Sequence, residues 1–389
     1  MKIWILTSRF GNGHRSAALA LAEEYRSKGH TVVVSDLVEL LYPKQAERIY
    51  RVFSRVICRY SWLYNFLNQF GRGEYQIPET PSALQNAFNC IRPDQIITTW
   101  SGCGRKLGAL PVPVHVCITD LGVHTGWLYP YAAGYWVATR EVAEKLEMLN
   151  VAAEKIQIRG IPVQEKFRCL PEKTTSYQTK QLLIMGGGLG IIPWLDEFLQ
   201  DLRGMPDITV TVVAGHNQQL YERLQKEYPW VHTVGFVHNI DDYLKQADFL
   251  LSKPGGISLF ESIYAATPYI AMYPAYEHEL ENAEFIEKKQ IGIVIHKGES
   301  AYWKLKALLA DEEQHRTYQT NMANLKHEIE QSRMRFEEEF TAYDHPNLYC
   351  TPRSICGVSS AGGRHNTDCS TQKSPLYGLP NRKSAVPNL

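Results

Sequence analysis

The chain has 389 residues, a formal net charge of zero and eight scattered cysteines. This length predicts two domains, and the balanced charge argues against a dedicated nucleic-acid-binding protein. The cysteines form no CxxC pair, which favours reduced thiols in a cytosolic protein over a disulfide framework or a zinc site. Residues 1–7 are too short and polar-flanked for a signal peptide, and no apolar run is long enough to span a bilayer. The sequence therefore predicts a soluble or peripherally membrane-bound protein.

Strand-like apolar runs alternate with amphipathic segments, which predicts an α/β fold with parallel sheets. In the first half, a strand over Lys2–Thr7 is followed by a glycine-bearing loop and a helix over residues 16–27. The later strands predicted in this half are residues 31–35, 95–99, 115–119, 135–138 and 156–158.

The first loop, Gly11-Asn12-Gly13-His14, joins the first strand to its helix. Its glycines let the backbone approach a ligand, and a helix N-terminus disfavours a positive charge on His14. A neutral imidazole can accept a proton, so His14 is the predicted general base. The alternative is a histidine that only caps the helix or packs against it.

A basic and aromatic stretch covers residues 48–75. Its arginines recur at helical spacing among tyrosines, phenylalanines and a tryptophan, which is typical of helices that lie in a membrane interface. The predicted membrane contacts are Arg51, Arg55 and Trp62. The competing interpretation is a solvated helix with one face in the core.

Polar and aromatic residues follow the strand predicted at residues 115–119, where open α/β sheets place active-site groups. Asp120 could orient or assist His14, whereas His124 and Trp127 could line an acceptor pocket. The alternative for Asp120 is a side chain that only caps the next segment.

The second half repeats the order of strand, glycine loop and helix after a polar linker at residues 172–179. Its predicted strands are residues 181–185, 209–214, 233–236, 248–252 and 269–273. The first of these runs into Gly187 and Gly188, in a loop whose spacing fits a backbone anion site better than a dinucleotide fingerprint. Residues 304–340 are strongly helical, and the segment 345–389 has the composition of a disordered tail.

Lys253 and the pair Gly255-Gly256 follow the strand that ends at residue 252 and precede a predicted helix. This order exposes helix N–H groups to an anion, and the glycines carry no Cβ that would keep a phosphate away. Glu261, in the first turns of the helix, can accept hydrogen bonds from sugar hydroxyls. Taken alone, this motif is also compatible with a plain tight turn.

The segment 277–282 contains His278, Glu279 and Asn282 and begins another helix. Sugar hydroxyls both donate and accept hydrogen bonds, and carboxylates together with an amide match them. The simpler interpretation is an acidic helix start that complements the helix dipole.

These loops together resemble the glycosyltransferases of the MurG and monogalactosyldiacylglycerol-synthase superfamily, and most of all the bacterial processive diacylglycerol glucosyltransferases. The resemblance covers Met1 to about Leu325 and is carried by five motifs: Gly11-Asn12-Gly13-His14, Ile118-Thr119-Asp120, Gly160-Ile161-Pro162-Val163, Lys253-Pro254-Gly255-Gly256 and Glu281-Asn282. It implies a GT-B fold, in which two Rossmann-like domains face each other across a cleft. It also implies an inverting reaction without a cofactor or a metal.

The resemblance implies roles for individual residues. His14 would be the base, Asp120 an acidic group of the acceptor site, and Glu261 the residue that holds the ribose hydroxyls. The UDP-sugar-binding residues would be Gly187, Gly188, Phe236, Val237, Lys253, Gly255, Gly256, Ser258, Glu261, His278, Glu279 and Asn282, with Phe236 and Val237 at the uracil. The acceptor and membrane residues would be Gly13, His124, Trp127, Arg51, Arg55 and Trp62.

The combined prediction is a cytoplasmic enzyme on the inner face of the cell membrane, with an acceptor-binding domain (1–165), a UDP-sugar-binding domain (178–330), a C-terminal helix (331–344) and a tail (345–389). It would move a hexose, glucose or galactose, from a UDP-sugar to diacylglycerol or a related glycolipid. Where the family has Gly-Gln-Glu, this chain has residues 277–279, which leaves the sugar open. The alternatives are a UDP-GlcNAc-type transferase with another lipid-linked acceptor, a UDP-sugar 2-epimerase and a UDP-sugar sensor without turnover.

Overall fold

The computed structural model describes residues 1–10, 12–59, 79–104, 106–171, 173, 179–188, 190–192, 194–274 and 277–342, without the side chains of 54–59, 277–278 and 336–342. Two parallel sheets organise this part of the chain, one in each half, and helices flank them. The predicted linker at 172–179 falls almost entirely, and the predicted tail at 345–389 wholly, outside the described residues.

The strands of both sheets are short and mostly buried. The first sheet contains β1 (Lys2–Thr7), β2 (Thr31–Asp36), β3 (Gln95–Thr98), β4 (Val114–Cys117), β5 (Ala132–Val137) and β6 (Ile156–Ile158). The second contains β7 (Lys180–Met185), β8 (Ile208–Val213), β9 (His232–Val234), β10 (Phe249–Ser252), β11 (Tyr269–Ala271) and β12 (Gly292–Val294). Their near-continuous runs of valine, isoleucine and leucine suit a parallel sheet, because helices cover both of its faces.

Helices connect most of the strands. In the first half they are α1 (Gly13–Ser27), α2 (Leu37–Leu41), α3 (Ala46–Arg59), α4 (Ser82–Ile91), α5 (Ser101–Gly104), α6 (Arg140–Met148) and α7 (Glu165–Arg168). In the second half they are α8 (Leu195–Leu202), α9 (Gln218–Glu227), α10 (Ile240–Gln246), α11 (Gly256–Tyr264), α12 (Glu277–Lys288), α13 (Ala301–Leu309) and α14 (Glu312–Ala342).

The strand order places the candidate loops at one edge of each sheet. It is β2-β1-β3-β4-β5-β6 in the first sheet and β12-β11-β10-β7-β8-β9 in the second. In open α/β sheets, ligands bind outside the carboxyl ends of the strands, at the point where the strand order changes direction. That point lies between β1 and β3 in the first sheet and between β7 and β10 in the second. The loops after β1, β7 and β10, which carry the predicted motifs, therefore lie where a ligand is expected.

Two elements differ from the sequence-based expectation. The helical segment predicted at 304–340 is divided into α13 and α14, because Asp311 begins a new helix by accepting a hydrogen bond from the Gln314 N–H at 2.9 Å. Strand β12 has no counterpart in the prediction. It is three residues long, and its Gly292 packs directly against the Tyr269 backbone of β11, so it shows no alternating apolar pattern.

The long helix α14 connects the two halves of the chain. It packs on α11 of the second half and on β6 of the first. Gly160, just after β6, makes this contact possible: its φ is +72°, and a Cβ there would lie only 2.6 Å from Cγ2 of Ile329. The position therefore requires glycine both for its left-handed backbone and for the close approach of α14.

A buried ion-pair cluster lies beside this contact. The Glu24 carboxylate of α1 forms ion pairs with Lys28, Arg159 and Arg333 of α14, at N–O distances of 3.0, 3.3 and 2.9 Å. Burial raises the pKa of Glu24, but the charges of Arg159, Arg333 and Lys28 outweigh that effect and hold the pKa below its usual value. The cluster thus ties α14 to the first half through a carboxylate that stays charged.

Candidate active site

His14 lies in the first turn of α1, at the carboxyl edge of the first sheet. Asn12 precedes the helix in the left-handed region, with a φ of 61°, and turns the chain sharply out of the strand. The His14 ring Nδ1 lies 2.8 Å from the Oγ1 of Thr119, and the Thr99 hydroxyl lies 2.9 Å from the His14 carbonyl oxygen. These two contacts fix the start of the helix and the orientation of the imidazole.

The residues predicted for the acceptor pocket lie around His14. The ring of Trp127, which is buried, lies 6.1 Å from the imidazole between centroids. His124 is exposed, lies 6.1 Å from Trp127 in the same measure, and accepts a hydrogen bond from the Gly126 N–H. Gly13 faces Ile257 of the second half. One wall of the site is therefore aromatic and belongs to the first half.

Asp120 lies between the two halves. Its carboxylate accepts hydrogen bonds from the Asn282 side chain and from the Gly256 backbone N–H. Burial raises the pKa of Asp120 to about 7, although these hydrogen bonds work in the opposite direction. The sequence pointed to Asp120 as a partner of His14, and that role stays a prediction. The structure adds Thr119, the preceding residue, as a hydrogen-bond partner of His14.

The loop after β10 approaches the first half so closely that position 256 requires glycine. A Cβ on Gly256 would overlap the Thr119 carbonyl oxygen and would lie 2.9 Å from Cδ1 of Ile161. Gly255 is the N-cap of α11, and a helix start leaves backbone N–H groups without partners in the helix. The sequence motif thus marks a helix N-terminus at the junction of the halves.

The loop after β7 lies beside the loop after β10, because the two strands are hydrogen-bonded neighbours. It carries Gly187, which is exposed with a φ of +68°, and Gly188, which faces the Asn12 side chain of the first half. Lys253 and Ser258 are half-buried near the same edge. Backbone N–H groups and one lysine at a helix start match the chemistry of a diphosphate.

Helix α12 brings an amide into the junction. Asn282 is fully buried; its Oδ1 accepts from the Leu121 N–H at 3.0 Å and its Nδ2 donates to the Pro254 carbonyl at 2.8 Å. Glu279 is buried on the same helix, and the side chain of His278 lies outside the described set. The amide therefore joins the loop after β4 to the loop after β10.

An aromatic pair lies next to the loop after β7. Phe236 is 47% exposed, and its ring stacks on His216 with 4.2 Å between centroids and 11° between planes. The His216 N–H donates to the Gly188 carbonyl at 3.1 Å, and Val237 is half-buried beside Phe236. Sequence reasoning missed His216. Its position just after β8, at the same carboxyl edge as the glycine loops, is the signal that could have identified it.

Glu261 faces a cation that comes from the segment between the halves. Burial raises the pKa of Glu261 to about 8; the charge of Lys166 lowers it and that of Asp241 raises it. Lys166 of α7 forms an ion pair with Asp241 at 2.7 Å and also donates to the His238 carbonyl. A carboxyl group that retains its proton near neutral pH can both donate to a hydroxyl and accept from one.

A partly buried hydrogen bond holds the first turns of helix α3 against the first sheet. The Tyr50 hydroxyl donates to the carboxylate of Asp36 at 2.7 Å, and Phe10 packs on Tyr50 at 4.8 Å between ring centroids. Arg51, the next residue of the helix, is exposed. Arg55 belongs to α3, with its side chain outside the described set, and Trp62 lies outside the described residues altogether.

The two Rossmann-like sheets, with glycine loops and a helix-start histidine at their carboxyl edges, place this chain in the class of GT-B folds. Family models match both halves: monogalactosyldiacylglycerol (MGDG) synthase over residues 14–163 and the C-terminal domain of glycosyltransferase family 28 over residues 193–336. A processive diacylglycerol beta-glucosyltransferase of Bacillus cereus (strain ATCC 14579) is 31% identical over 343 residues, which is 80% of this chain and 86% of the relative. The chain belongs to the family of the processive diacylglycerol beta-glucosyltransferases, as its motifs predict.

Solved structures confirm the GT-B fold. MurG of Acinetobacter baumannii matches with a TM-score of 0.55 and 14% identity, over 86% of this chain and 99% of that one. Anabaena Alr3699/HepE, solved in complex with UDP-glucose, matches with a TM-score of 0.53 and 13% identity, over 88% and 100%. At such identities the likeness concerns the fold alone.

Two further features concern the residues that the structure describes. None of the helices there combines the length and the apolar character that crossing a bilayer requires. The side chains described also contain no group of three or more His, Cys, Asp or Glu residues placed to hold a metal ion.

Proposed function

We propose that this protein is an inverting hexosyltransferase that moves glucose or galactose from a UDP-sugar to the hydroxyl of diacylglycerol or a related glycolipid. The chain belongs to the diacylglycerol glucosyltransferase family, and the observation that carries the proposal is the placement of the base opposite the glycine loops. His14, oriented by Thr119, lies at the carboxyl edge of one sheet, and the paired glycine loops lie at that of the other.

In the proposed reaction His14 takes the proton of the acceptor hydroxyl while that oxygen attacks the anomeric carbon. If Nδ1 donates to Thr119, Nε2 is the basic nitrogen of the ring. The bond from the anomeric carbon to the UDP oxygen breaks, and its electron pair leaves with the diphosphate. Attack on the face opposite the leaving group inverts the anomeric carbon.

The leaving diphosphate is stabilised, in this proposal, by backbone N–H groups around Gly187, Gly188 and Gly255 together with Lys253. Such preorganised groups in a desolvated cleft are commonly the largest catalytic contribution. No metal is then needed, and we expect EDTA to leave the rate unchanged. A rate that falls with EDTA and returns with Mg²⁺ would contradict this part of the proposal.

The remaining predicted residues are assigned to the uracil, the ribose and the sugar of the UDP-sugar. Phe236 and Val237 hold the uracil, and Glu261 holds the ribose hydroxyls. Ser258, His278 and Glu279 belong to the same binding surface by prediction. The exposed ring of Phe236 supports the assignment, because an exposed aromatic face is available for stacking on a base.

The acceptor reaches the site, we propose, from the anionic inner face of the cell membrane, where α3 docks peripherally. Arg51 is exposed on α3, and a cationic side chain near an anionic surface contributes about 1 kcal/mol. Charge reversal by Arg51→Glu should therefore weaken binding to vesicles that contain phosphatidylglycerol about tenfold or more. Arg316→Glu, the same change at an exposed position of α14, is the matched control. Equal effects of the two variants would refute α3 as the docking element.

The proposed activity is tested by UDP release from a panel of UDP-sugars, with and without diacylglycerol in mixed micelles. Release that depends on the lipid with one sugar identifies the transferase and its UDP-sugar. Release only with a polyprenyl-linked acceptor, conversion of the UDP-sugar to its 2-epimer, or UDP binding without turnover would each replace the proposal by the corresponding alternative.

The role of His14 is tested by His14→Ala. We expect kcat to fall by about 100-fold or more, while the dissociation constant of UDP stays within about threefold. His232→Ala, at an exposed histidine of β9, is the control and should keep its turnover. Unchanged turnover in His14→Ala would remove His14 as the base.

A further inference from the structure

Asn282 uses its whole amide group at the junction of the two halves. The oxygen accepts from the Leu121 N–H at 3.0 Å, and the nitrogen donates to the Pro254 carbonyl at 2.8 Å. The same side chain hydrogen-bonds with the carboxylate of Asp120. Both ends of the amide, the acceptor oxygen and the donor nitrogen, are therefore engaged at the junction.

The partners of this amide lie on the two loops on which the proposed chemistry depends. Asp120 and Leu121 directly follow Thr119, the hydrogen-bond partner of His14. Pro254 directly precedes the glycine pair at the start of α11. Gly256 also lies against Asp120, since a Cβ on it would be 3.2 Å from an Asp120 carboxylate oxygen, so the two loops are in direct contact here.

The ion pair that joins α12 to α6 across the same interface is more exposed. Lys289 of α12 lies 3.0 Å from Glu141 of α6, with 30% and 29% side-chain exposure. Exposed and half-exposed ion pairs of this kind contribute about 0–1 kcal/mol. Asn282 is 0% exposed, and a buried amide that loses its partners leaves them unsatisfied, at about 1–3 kcal/mol for each group.

We propose that Asn282 is a positioning residue that clasps the loop after β4 to the loop after β10, and so sets the distance between the base and the diphosphate site. This rests on the proposed function and deepens it. The residue acts through Asp120, Leu121 and Pro254 rather than through a contact with the sugar. A misplacement of about 1 Å at such a junction can lower turnover by about 100-fold.

The first test is Asn282→Asp, which keeps the size of the side chain and the acceptor for Leu121 but puts an oxygen where two N–H donors were. We expect kcat to fall by about 100-fold at pH 8, with KM for the UDP-sugar within about threefold. The ratio of variant to wild-type kcat should rise again toward pH 6, because protonation of the introduced carboxyl restores one donor and removes the repulsion from Asp120. Glu141→Gln, which breaks the ion pair with Lys289, is the control and should keep its rate.

The second test needs no activity. Hydrogen exchange of the ligand-free protein should show the Leu121 amide exchanging about tenfold faster in Asn282→Ala than in the wild type, because it loses its acceptor. Glu141→Gln should leave this amide unchanged. Unchanged exchange in Asn282→Ala overturns the clasp whether or not the protein transfers sugar. Faster exchange in a protein without transfer supports the clasp and overturns the proposed function instead. A raised KM with unchanged kcat and a flat pH ratio would make Asn282 a sugar ligand and overturn the inference.

Discussion

Replacing Glu24 by Gln should destabilise the protein strongly, although the change is small and lies away from the glycine loops. The carboxylate is 12% exposed, and its partners Arg159 and Arg333 are 5% and 9% exposed. Removing one partner of a buried ion pair costs about 3–5 kcal/mol, because the remaining charges stay buried without compensation. Glutamine keeps an acceptor oxygen, so we expect a loss near the lower end, about 3 kcal/mol in the free energy of unfolding.

The assay is equilibrium unfolding in urea, which is uncharged and does not screen ion pairs. The matched control is Glu144→Gln, which removes the exposed partner of Arg140 at the same N–O distance of 3.3 Å as in the Arg159 pair. That exposed pair should contribute at most about 0.5 kcal/mol. Because the pKa of Glu24 is lowered in the folded state, its contribution is fully present above the unfolded value and is lost as the pH falls through the folded one. A loss below about 1 kcal/mol, or equal losses in both variants, would refute the reasoning.

Three further changes test the site. Phe236→Ala should raise KM for the UDP-sugar about tenfold or more in steady-state assays, because base stacking contributes about 1–3 kcal/mol, whereas Trp303→Ala, at a 63% exposed ring, should not. Gly256→Ala should lower the thermal midpoint and the affinity for UDP in calorimetry, since its Cβ would overlap the Thr119 carbonyl oxygen; an unchanged midpoint would contradict this packing. Asp120→Asn should gain stability over the wild type in urea as the pH rises from about 4 to 7, because the folded pKa of Asp120, about 7, lies above its unfolded value and the wild type loses stability over that range. A difference independent of pH would show that the carboxyl titrates normally.

The features that could be predicted from the sequence are local along the chain. A strand, a glycine loop and a helix start are encoded by neighbouring residues, so the loops at His14, Gly187 and Gly255 could be placed at strand ends. Their repetition predicted two α/β halves, and the resemblance to the MurG and monogalactosyldiacylglycerol-synthase superfamily implied the GT-B fold, which the solved structures confirm. The family followed from the order of the motifs.

The features that could not be predicted depend on residues far apart in the chain. Thr119 meets His14 across 105 positions through packing within the first half, and Leu121 meets Asn282 across 161 positions through packing between the halves. His216 comes close to the glycine loop after β7 only because β8 pairs with β7 in the sheet. Propensity and periodicity describe single elements and carry no information on such partners.

Because of helix α14, cleavage of the chain between the two halves does not separate them. Its residues Ile329 and Arg333 hold the first half while its earlier turns belong to the second, so the polypeptide passes between the halves twice. Cleavage of the chain between α7 and β7 would therefore yield a two-piece protein that α14 keeps assembled without a covalent link. A fragment meant to contain the second half alone would have to begin near β7 and also end before residue 329.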